Sequence, residues 1–144
     1  MITYKFNFAK NDDIFNHLKI CNASFIPPLS QKVDIENYSQ KIYDNADTFE
    51  AWGENKLIGL VATYCNNINK SAFITSVSVI KTYTNRGVGS KLLEDCIKYV
   101  EGKGFREITL EVNIQSKKAR SLYKKLNFQE VEFDNKIIIM RYQI

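Results

Sequence analysis

Gly87 and Gly89 stand between a stretch typical of a buried strand and a stretch typical of an amphipathic helix. The residues before them include the β-branched Val77 and Val79, and apolar side chains after them recur about every four positions. A helix that begins at such a turn leaves backbone N–H groups unpaired beside the positive end of its dipole. Glycine also lets an anion approach the backbone closely. The stretch from Asn85 to Ser90 therefore predicts a phosphate or pyrophosphate site.

Familiar phosphate-binding loops do not fit this stretch. A dinucleotide fingerprint needs a third glycine where Leu92 stands. A P-loop needs glycine, lysine and then serine or threonine, whereas Gly89 is followed by serine and then lysine. Two glycines alone also fit an ordinary strand-to-helix turn.

The stretch from Thr84 to Gly89 resembles motif A of the GNAT superfamily of N-acetyltransferases, Gln/Arg-x-x-Gly-x-Gly/Ala, which binds the pyrophosphate of acetyl-CoA. Thr84 replaces the usual first residue and keeps a hydroxyl that can bind a phosphate. The resemblance implies acetyl-CoA as co-substrate and no metal. The residues expected to contact acetyl-CoA are Val77, Ser78, Val79, Thr84, Asn85, Arg86, Gly87, Val88, Gly89, Ser90 and Ser116.

Residues 110–128 resemble motif B of the same superfamily, L-x-V…N-x-x-A-x-x-L-Y…G-F, with Ser116 and Asn127 at the Asn and Gly positions. Ser116, Ala119 and Tyr123 are spaced to share one helix face, along which a cofactor can lie. The resemblance implies that Tyr123 protonates the departing CoA thiolate. The alternative is a core tyrosine whose hydroxyl reaches the surface.

The resemblance also implies direct attack of an amine on the thioester, with a backbone N–H of Val77 or Ser78 stabilising the oxyanion. Glu111 is the first candidate for the general base, because its L-E-V setting is similar to that of ribosomal-protein amino-terminal acetyltransferases. Strand alternation points it away from the apolar face of Leu110 and Val112. A structural or solvent-facing glutamate, with Glu50 or water as the base, is the alternative.

Composition limits the remaining function classes. The 144 residues are 44% hydrophobic, which suits one domain over residues 1–144. No apolar run approaches the roughly 20 residues of a membrane span, and we expect a cytoplasmic protein without a membrane partner. The net charge of +4 is too small and too scattered to indicate nucleic-acid binding. The pairs Lys117-Lys118 and Lys124-Lys125 are either a solvated face or a rim that attracts CoA phosphates.

The single histidine and the three cysteines are expected to be structural. His17 lies beside an apolar helix face with no G-x-S-x-G elbow in the chain, so we interpret it as structural or exposed. Cys21, Cys65 and Cys96 are widely spaced and form no Cys-x-x-Cys pair. We expect them to be reduced thiols that fill the core.

Hydrophobic periodicity predicts the order β-α-α-β-β-β-α-β-α-β-β. The expected fold class is α/β (α+β). The resemblance makes this a single acyl-CoA N-acyltransferase domain, a mixed, mostly antiparallel sheet of about seven strands with four helices on both faces. The acceptor stays open between a small-molecule amine, an amino sugar and a peptide N-terminus, and a homodimer is allowed. Aromatic candidates for its pocket, or for the core, are Phe25, Tyr38, Tyr43, Trp52 and Tyr64.

Two other functions remain as alternatives. One is a catalytically silent CoA-binding or regulatory domain, for which Thr84 and Ser116 would be marks of decay. The other is a basic nucleic-acid-binding module, which would bind DNA or RNA in a salt-dependent way. Turnover of acetyl-CoA against a panel of amines separates an enzyme from both.

Overall fold

A computed structural model describes all 144 residues and confirms the predicted order of elements. The strands are β1 (Thr3–Phe6), β2 (Asp47–Gly53), β3 (Lys56–Asn66), β4 (Ser71–Val79), β5 (Glu107–Asn113), β6 (Gln129–Asp134) and β7 (Ile137–Gln143). The α-helices are α1 (Asn11–Cys21), α2 (Ile35–Asn45), α3 (Val88–Gly102) and α4 (Lys117–Lys125). Short 3₁₀ turns occur at Asn22–Ser24, Leu29–Gln31 and Lys81–Tyr83.

The seven strands form one sheet in the order β1-β2-β3-β4-β5-β7-β6. Only β4 and β5 are parallel, and every other neighbouring pair is antiparallel. The expected mixed, mostly antiparallel sheet of seven strands with four helices is therefore confirmed. Helices α3 and α4 cover one face over the larger apolar core, and α1 and α2 cover the other face over a smaller one.

The parallel pair β4–β5 separates partway along its length. Its paired residues run from Ser71 with Glu107 to Ile74 with Leu110, and no pairing follows. Beyond this point, here called the fork, the last five residues of β4 have a free backbone edge toward β5. A free edge in the middle of a sheet leaves backbone groups that a ligand can satisfy.

A β-bulge at the fork changes which face of the sheet the side chains of β4 point to. Thr63 of β3 pairs with Ile74 and Ala62 pairs with Ser76, so Thr75 is the extra residue. Before the bulge, Ile74 belongs to the core under α3, whereas Ser76 after it faces the α1/α2 side opposite Ala62. One extra residue shifts the alternation of a strand by one position.

The first strand ends earlier than the alternation of its residues predicts, and an acidic side chain caps the helix that follows. The alternating residues from Ile2 to Phe8 predict one strand, but the strand ends at Phe6 because Asn7 has a φ of 50°. Helix α1 begins at Asn11, and the Asp13 carboxylate accepts the N–H of Lys10 at 2.9 Å. The acidic side chain therefore caps the helix from inside its first turn.

None of the helices is long and apolar enough to cross a membrane. No group of three or more His, Cys, Asp or Glu side chains is arranged to hold a metal ion. The three cysteines are free thiols, with Cys21 and Cys96 buried and Cys65 half-buried.

Candidate active site

The glycine turn carries unpaired N–H groups at the start of α3. Gly87 is the N-cap and has a φ of +77°, a left-handed conformation that glycine adopts without strain. The next three N–H groups, of Val88, Gly89 and Ser90, have no acceptor in the preceding turn, whereas Lys91 N–H bonds to Gly87 O at 3.0 Å. The turn therefore presents donors and a helix dipole to one point, as the sequence predicts.

Close packing fixes the position of this turn over the sheet. An added Cβ on Gly59 of β3 would lie 2.8 Å from Val88 Cγ1, so α3 approaches β3 where glycine leaves room. Lys118 Nζ, from the first turn of α4, donates to Asn85 Oδ1 at 2.7 Å. Thr84 Oγ1 donates its proton to Lys81 O at 2.7 Å, so it can offer only lone pairs to a ligand. The turn is thereby held between β3 and α4.

A cavity of about 850 Å³, here called the glycine-turn cavity, lies between this turn, the end of β4 and the start of α4. Ten of the eleven residues expected to contact acetyl-CoA line it, and Arg86 is the exception. The Arg86 guanidinium instead lies over the Tyr83 ring, 5.2 Å from its centroid. Lys117, Lys118 and Lys125 also line the cavity, which gives it the positive rim that a phosphate ligand favours.

A second cavity of about 340 Å³, here called the bulge cavity, lies in the fork between the α1–α2 loop and the start of α4. Its walls come from the α1–α2 loop, the β4 bulge and the end of β5, and most are apolar. Phe25 and Tyr38 line it, whereas Tyr43, Trp52 and Tyr64 line neither cavity. The two cavities share five lining residues: Ser24, Ile26, Val77, Ser116 and Ala119. They therefore meet where β4 and α4 face each other across the fork.

Glu111 lines the bulge cavity and is exposed. Its neighbours Leu110 and Val112 are buried in the core on the other face of β5. The structure thus places the Glu111 carboxylate on the face that the strand alternation predicts. It makes no hydrogen bond or ion pair within the protein, so it is open to a ligand or to water.

Glu50, the second candidate base, has a different environment. Its carboxylate is fully buried and lines neither cavity. It accepts the N–H groups of Phe8 and Ala9 at 3.0 Å, Thr48 Oγ1–H at 2.6 Å and Trp52 Nε1–H at 3.0 Å. These donors satisfy the carboxylate and hold the segment that links β1 to α1.

Tyr123 is 7% exposed, and its ring packs 6.0 Å from that of Phe128 in the larger core. Burial raises the pKa of the Tyr123 phenol, which keeps it protonated at neutral pH. Its hydroxyl makes no hydrogen bond within the protein. Ser116 and Ala119, expected on the same helix face, line both cavities, but Tyr123 lines neither.

His17 is a buried link between α1 and the end of β4. It is 1% exposed, and Nδ1 lies 2.9 Å from Leu57 O while Nε2 lies 2.8 Å from Ser78 Oγ. Burial lowers the pKa of His17 to about 4, so the ring is neutral at pH 7. Because a carbonyl only accepts, Nδ1 carries the proton, and Ser78 O–H donates to Nε2. The structural interpretation of His17 holds.

The polar groups at the β4 bulge were not predicted from the sequence. Tyr38 Oη lies 2.7 Å from both Thr75 O and Thr75 Oγ1, which ties α2 to the bulge. The adjacent Ser76 is 5% exposed and lines the bulge cavity. Two consecutive polar residues inside an otherwise alternating strand were the available signal, because they break the period of two.

Comparison with known proteins supports the assignment made from the fold and the glycine turn. The Acetyltransferase (GNAT) family matches residues 12–128. An N-alpha-acetyltransferase of Sulfolobus acidocaldarius is 32% identical, and the alignment covers 91% of this chain and 83% of that protein. An uncharacterized N-acetyltransferase of Methanocaldococcus jannaschii is 37% identical over 54% of this chain, but only 36% of that protein is matched. For the Arabidopsis thaliana N-alpha-acetyltransferase MAK3, at 28% identity, the shares are 78% and 61%.

Solved structures show the same fold. The ribosomal-protein-S18-alanine N-acetyltransferase of Escherichia coli superposes with a TM-score of 0.79 at 21% identity, covering 100% of this chain and 94% of that chain. The PaiA N-acetyltransferase of Thermoplasma acidophilum, solved in complex with coenzyme A, gives a TM-score of 0.76 at 18% identity with 99% of both chains covered. The chain belongs to the Acetyltransferase (GNAT) family.

Proposed function

We propose that this protein is an acetyl-CoA-dependent N-acetyltransferase that moves the acetyl group to the α-amine of a peptide or protein N-terminus. The observation that carries the proposal is the meeting of the two cavities at the fork, through five shared lining residues. A thioester held in the glycine-turn cavity would then be next to an amine held in the bulge cavity. Proximity of this kind lowers the barrier of a two-substrate reaction.

The glycine-turn cavity supports acetyl-CoA as the co-substrate. The unpaired N–H groups of Val88, Gly89 and Ser90 and the lysines of the rim suit the pyrophosphate and phosphate groups. The free edge of β4 from Thr75 to Val79 suits the pantetheine amides, which would add to the sheet as a strand does.

The proposed chemistry uses two protein groups with opposite roles. The amine lone pair attacks the thioester carbonyl, and a backbone N–H of Val77 or Ser78 stabilises the oxyanion. Glu111 takes the amine proton, directly or through one water. Collapse of the intermediate breaks the C–S bond, and Tyr123 gives its proton to the CoA thiolate. Glu50 is set aside as the base because its carboxylate is satisfied by four donors away from both cavities.

The proposed acceptor class rests on the relatives and on the bulge cavity. Relatives from Sulfolobus acidocaldarius and Arabidopsis thaliana carry the name N-alpha-acetyltransferase. The bulge cavity offers apolar walls for a first side chain, with Glu111 as a single carboxylate for the amine. These features suit the α-amine of a peptide better than a polyhydroxylated amino sugar, which would need many polar partners.

The test is release of CoA thiol from acetyl-CoA in the presence of candidate acceptors. We expect release with a free amino-terminal peptide, none with the same peptide Nα-acetylated, and little with glucosamine. Mass spectrometry should place one acetyl group on the peptide N-terminus. Binding of acetyl-CoA without turnover on any amine would instead indicate a silent CoA-binding domain.

A further inference from the structure

Ser76 carries a hydroxyl that the folded protein leaves without a partner. The residue is 5% exposed, and no group lies in hydrogen-bonding geometry to its Oγ, although the Tyr38 hydroxyl is nearby. Buried polar atoms are almost always satisfied in native proteins, and leaving one unsatisfied destabilises the fold. Of the other buried polar side-chain atoms without a hydrogen bond, Arg141 Nε lies 3.2 Å from Glu107 Oε1 and Tyr64 Oη lines neither cavity. Ser76 alone combines an unused polar atom with a position on the bulge cavity.

The neighbouring hydroxyls show that the strand can satisfy such groups. Tyr38 O–H donates to Thr75 O, and the 2.7 Å contact between the two side-chain oxygens is satisfied when Thr75 O–H donates to Tyr38 Oη. Ser78 O–H donates to His17 Nε2. The protons of Tyr38, Thr75 and Ser78 are thus used inside the protein, and toward the cavity Thr75 Oγ1 and Tyr38 Oη offer lone pairs only.

The bulge places Ser76 next to the meeting point of the cavities. Val77 lines both cavities, and Ser76 comes directly before it. The Ser76 side chain lies on the same face of the sheet as Glu111, which is across the fork. A group bound to Ser76 Oγ therefore lies in the bulge cavity one residue away from the proposed thioester position. A primary amine with its lone pair toward the thioester has two N–H groups left to donate.

We propose that Ser76 Oγ binds the acceptor amine, accepting one of its N–H groups and directing the nitrogen lone pair at the thioester. The lone pairs of Thr75 Oγ1 and Tyr38 Oη, together with the Glu111 carboxylate, make the surroundings complementary to N–H donors. Ser76 is then a substrate-binding residue that the bulge creates. This inference rests on the proposed N-acetyltransferase function and specifies which residue selects and orients the amine.

The first test compares Ser76→Ala with Ser71→Ala, the same change at the other end of β4, where Ser71 Oγ donates to Glu107. Using a free amino-terminal peptide and acetyl-CoA, we expect Ser76→Ala to raise the peptide KM by about tenfold or more. The KM for acetyl-CoA should stay unchanged, and so should the melting temperature, because Oγ has no bond to lose. Ser71→Ala should keep the wild-type peptide KM.

Other results of this comparison would overturn either the role of Ser76 or the proposed function. Wild-type turnover with an unchanged peptide KM in Ser76→Ala would overturn this inference and leave the proposed function standing. A rise in the acetyl-CoA KM instead would also overturn it, by assigning Ser76 to the cofactor. Absence of turnover in the wild-type protein with every amine would overturn the proposed function, and this inference would fail with it.

A second test changes the substrate rather than only the enzyme. N-methylation of the peptide amine removes one N–H, so the wild-type protein should lose kcat/KM toward the methylated peptide. Ser76→Ala lacks the acceptor for that N–H and should lose clearly less on methylation than the wild-type protein does. An equal loss in both proteins would mean that Ser76 does not contact the amine.

Discussion

Tyr123 and Glu111 occupy surroundings that suit opposite proton transfers. The Tyr123 phenol is buried in the core, and burial raises its pKa, so it is protonated at neutral pH, as the proposed acid must be. The Glu111 carboxylate is exposed in the bulge cavity and free of internal partners, so it can accept a proton and pass it to water. The two proposed roles therefore fall on residues that differ in burial.

Tyr123→Phe removes only a hydroxyl that makes no hydrogen bond within the protein. We expect kcat to fall by about 10²- to 10⁴-fold, because a positioned acid is lost, while acetyl-CoA affinity stays the same. Tyr142→Phe is the matched control, since the Tyr142 ring also packs on Phe128, at 5.6 Å, and lines neither cavity. Steady-state kinetics and calorimetry measure both quantities. An unchanged kcat would show that another group or solvent protonates the thiolate.

Glu111→Gln keeps the size of the side chain and removes its basicity. The rate should fall at neutral pH and partly recover at high pH, where the acceptor amine loses its proton unaided. Glu107→Gln, on the same strand but outside both cavities, should leave the shape of the pH profile unchanged. An equal loss at every pH would indicate a structural or acceptor-binding glutamate, and no loss would assign the role to water.

Residue spacing in the sequence predicts where several candidate site residues lie, whereas their roles stay predictions. The two glycines and Ser116 line cavities at the starts of helices, and Glu111 lines one because strand alternation turns it away from the core. Ser76 was missed because its role depends on a bulge, and a bulge is defined by pairing with β3 rather than by local sequence. Glu50 could not be assigned from sequence either, since its donors Phe8 and Ala9 are more than forty positions away.

At the scale of elements, the turn from β4 into α3 decides whether a phosphate ligand can bind. An added Cβ at Gly89 would meet Leu122 Cδ2 at 3.6 Å, an ordinary contact that the fold tolerates. Gly87 is less suitable for a test, because its φ of +77° strains any other side chain. Gly89 is therefore the position at which binding can be blocked with the least effect on folding.

Gly89→Val should abolish acetyl-CoA binding, because the larger side chain would stand between the ligand and the N–H groups of the first turn. Gly102→Val is the matched control, since it places the same residue in the same helix, where an added Cβ meets no atom within 4 Å. Calorimetry with acetyl-CoA measures the binding, and circular dichroism checks the fold. Wild-type affinity in a folded Gly89→Val protein would remove the site from this turn.

His17, which links α1 to β4, should make the free energy of unfolding depend on pH. Its pKa is about 4 in the folded protein against an ordinary 6.5, so between these values the unfolded chain binds a proton that the folded protein does not. The free energy of unfolding should therefore fall as the pH drops from 7 to 4, by about 3 kcal/mol from this residue. Urea denaturation at several pH values measures the effect.

His17→Gln removes the titrating ring and serves as the comparison for that series. The variant should be less stable at pH 7, and the difference from the wild-type protein should shrink as the pH falls to 4. A difference that stays constant over this range would show that His17 does not remain neutral in the folded protein.

The order of elements was predictable because each helix and strand carries its own periodicity and end signals. Asp34 caps α2 by accepting the N–H of Glu36 at 3.2 Å, and Asn127 takes a φ of 76° after α4. The true end of β1 was not predictable from alternation, because the left-handed Asn7 stops the strand before Phe8.

At the scale of the whole molecule, the fork in the sheet is the feature that joins two binding functions. Ridges of apolar side chains hold α3 and α4 on one face and α1 and α2 on the other. The starts of α3 and α4 line the glycine-turn cavity, the α1–α2 loop lines much of the bulge cavity, and the end of β4 lies between them. The sequence could not predict that the two cavities meet, because this depends on the pairing of β4 with β5 ending at Ile74.

The central claim is that acetyl-CoA and the acceptor amine bind on the two sides of the fork and meet at its shared residues. The most direct measurement is calorimetric binding of a conjugate in which CoA is joined through an acetyl linker to the N-terminus of a peptide. We predict that it binds at least about 100-fold more tightly than CoA alone, because both halves engage at once. Gly89→Val should weaken the binding. A conjugate that binds no more tightly than CoA, or whose binding withstands this substitution, would contradict the account.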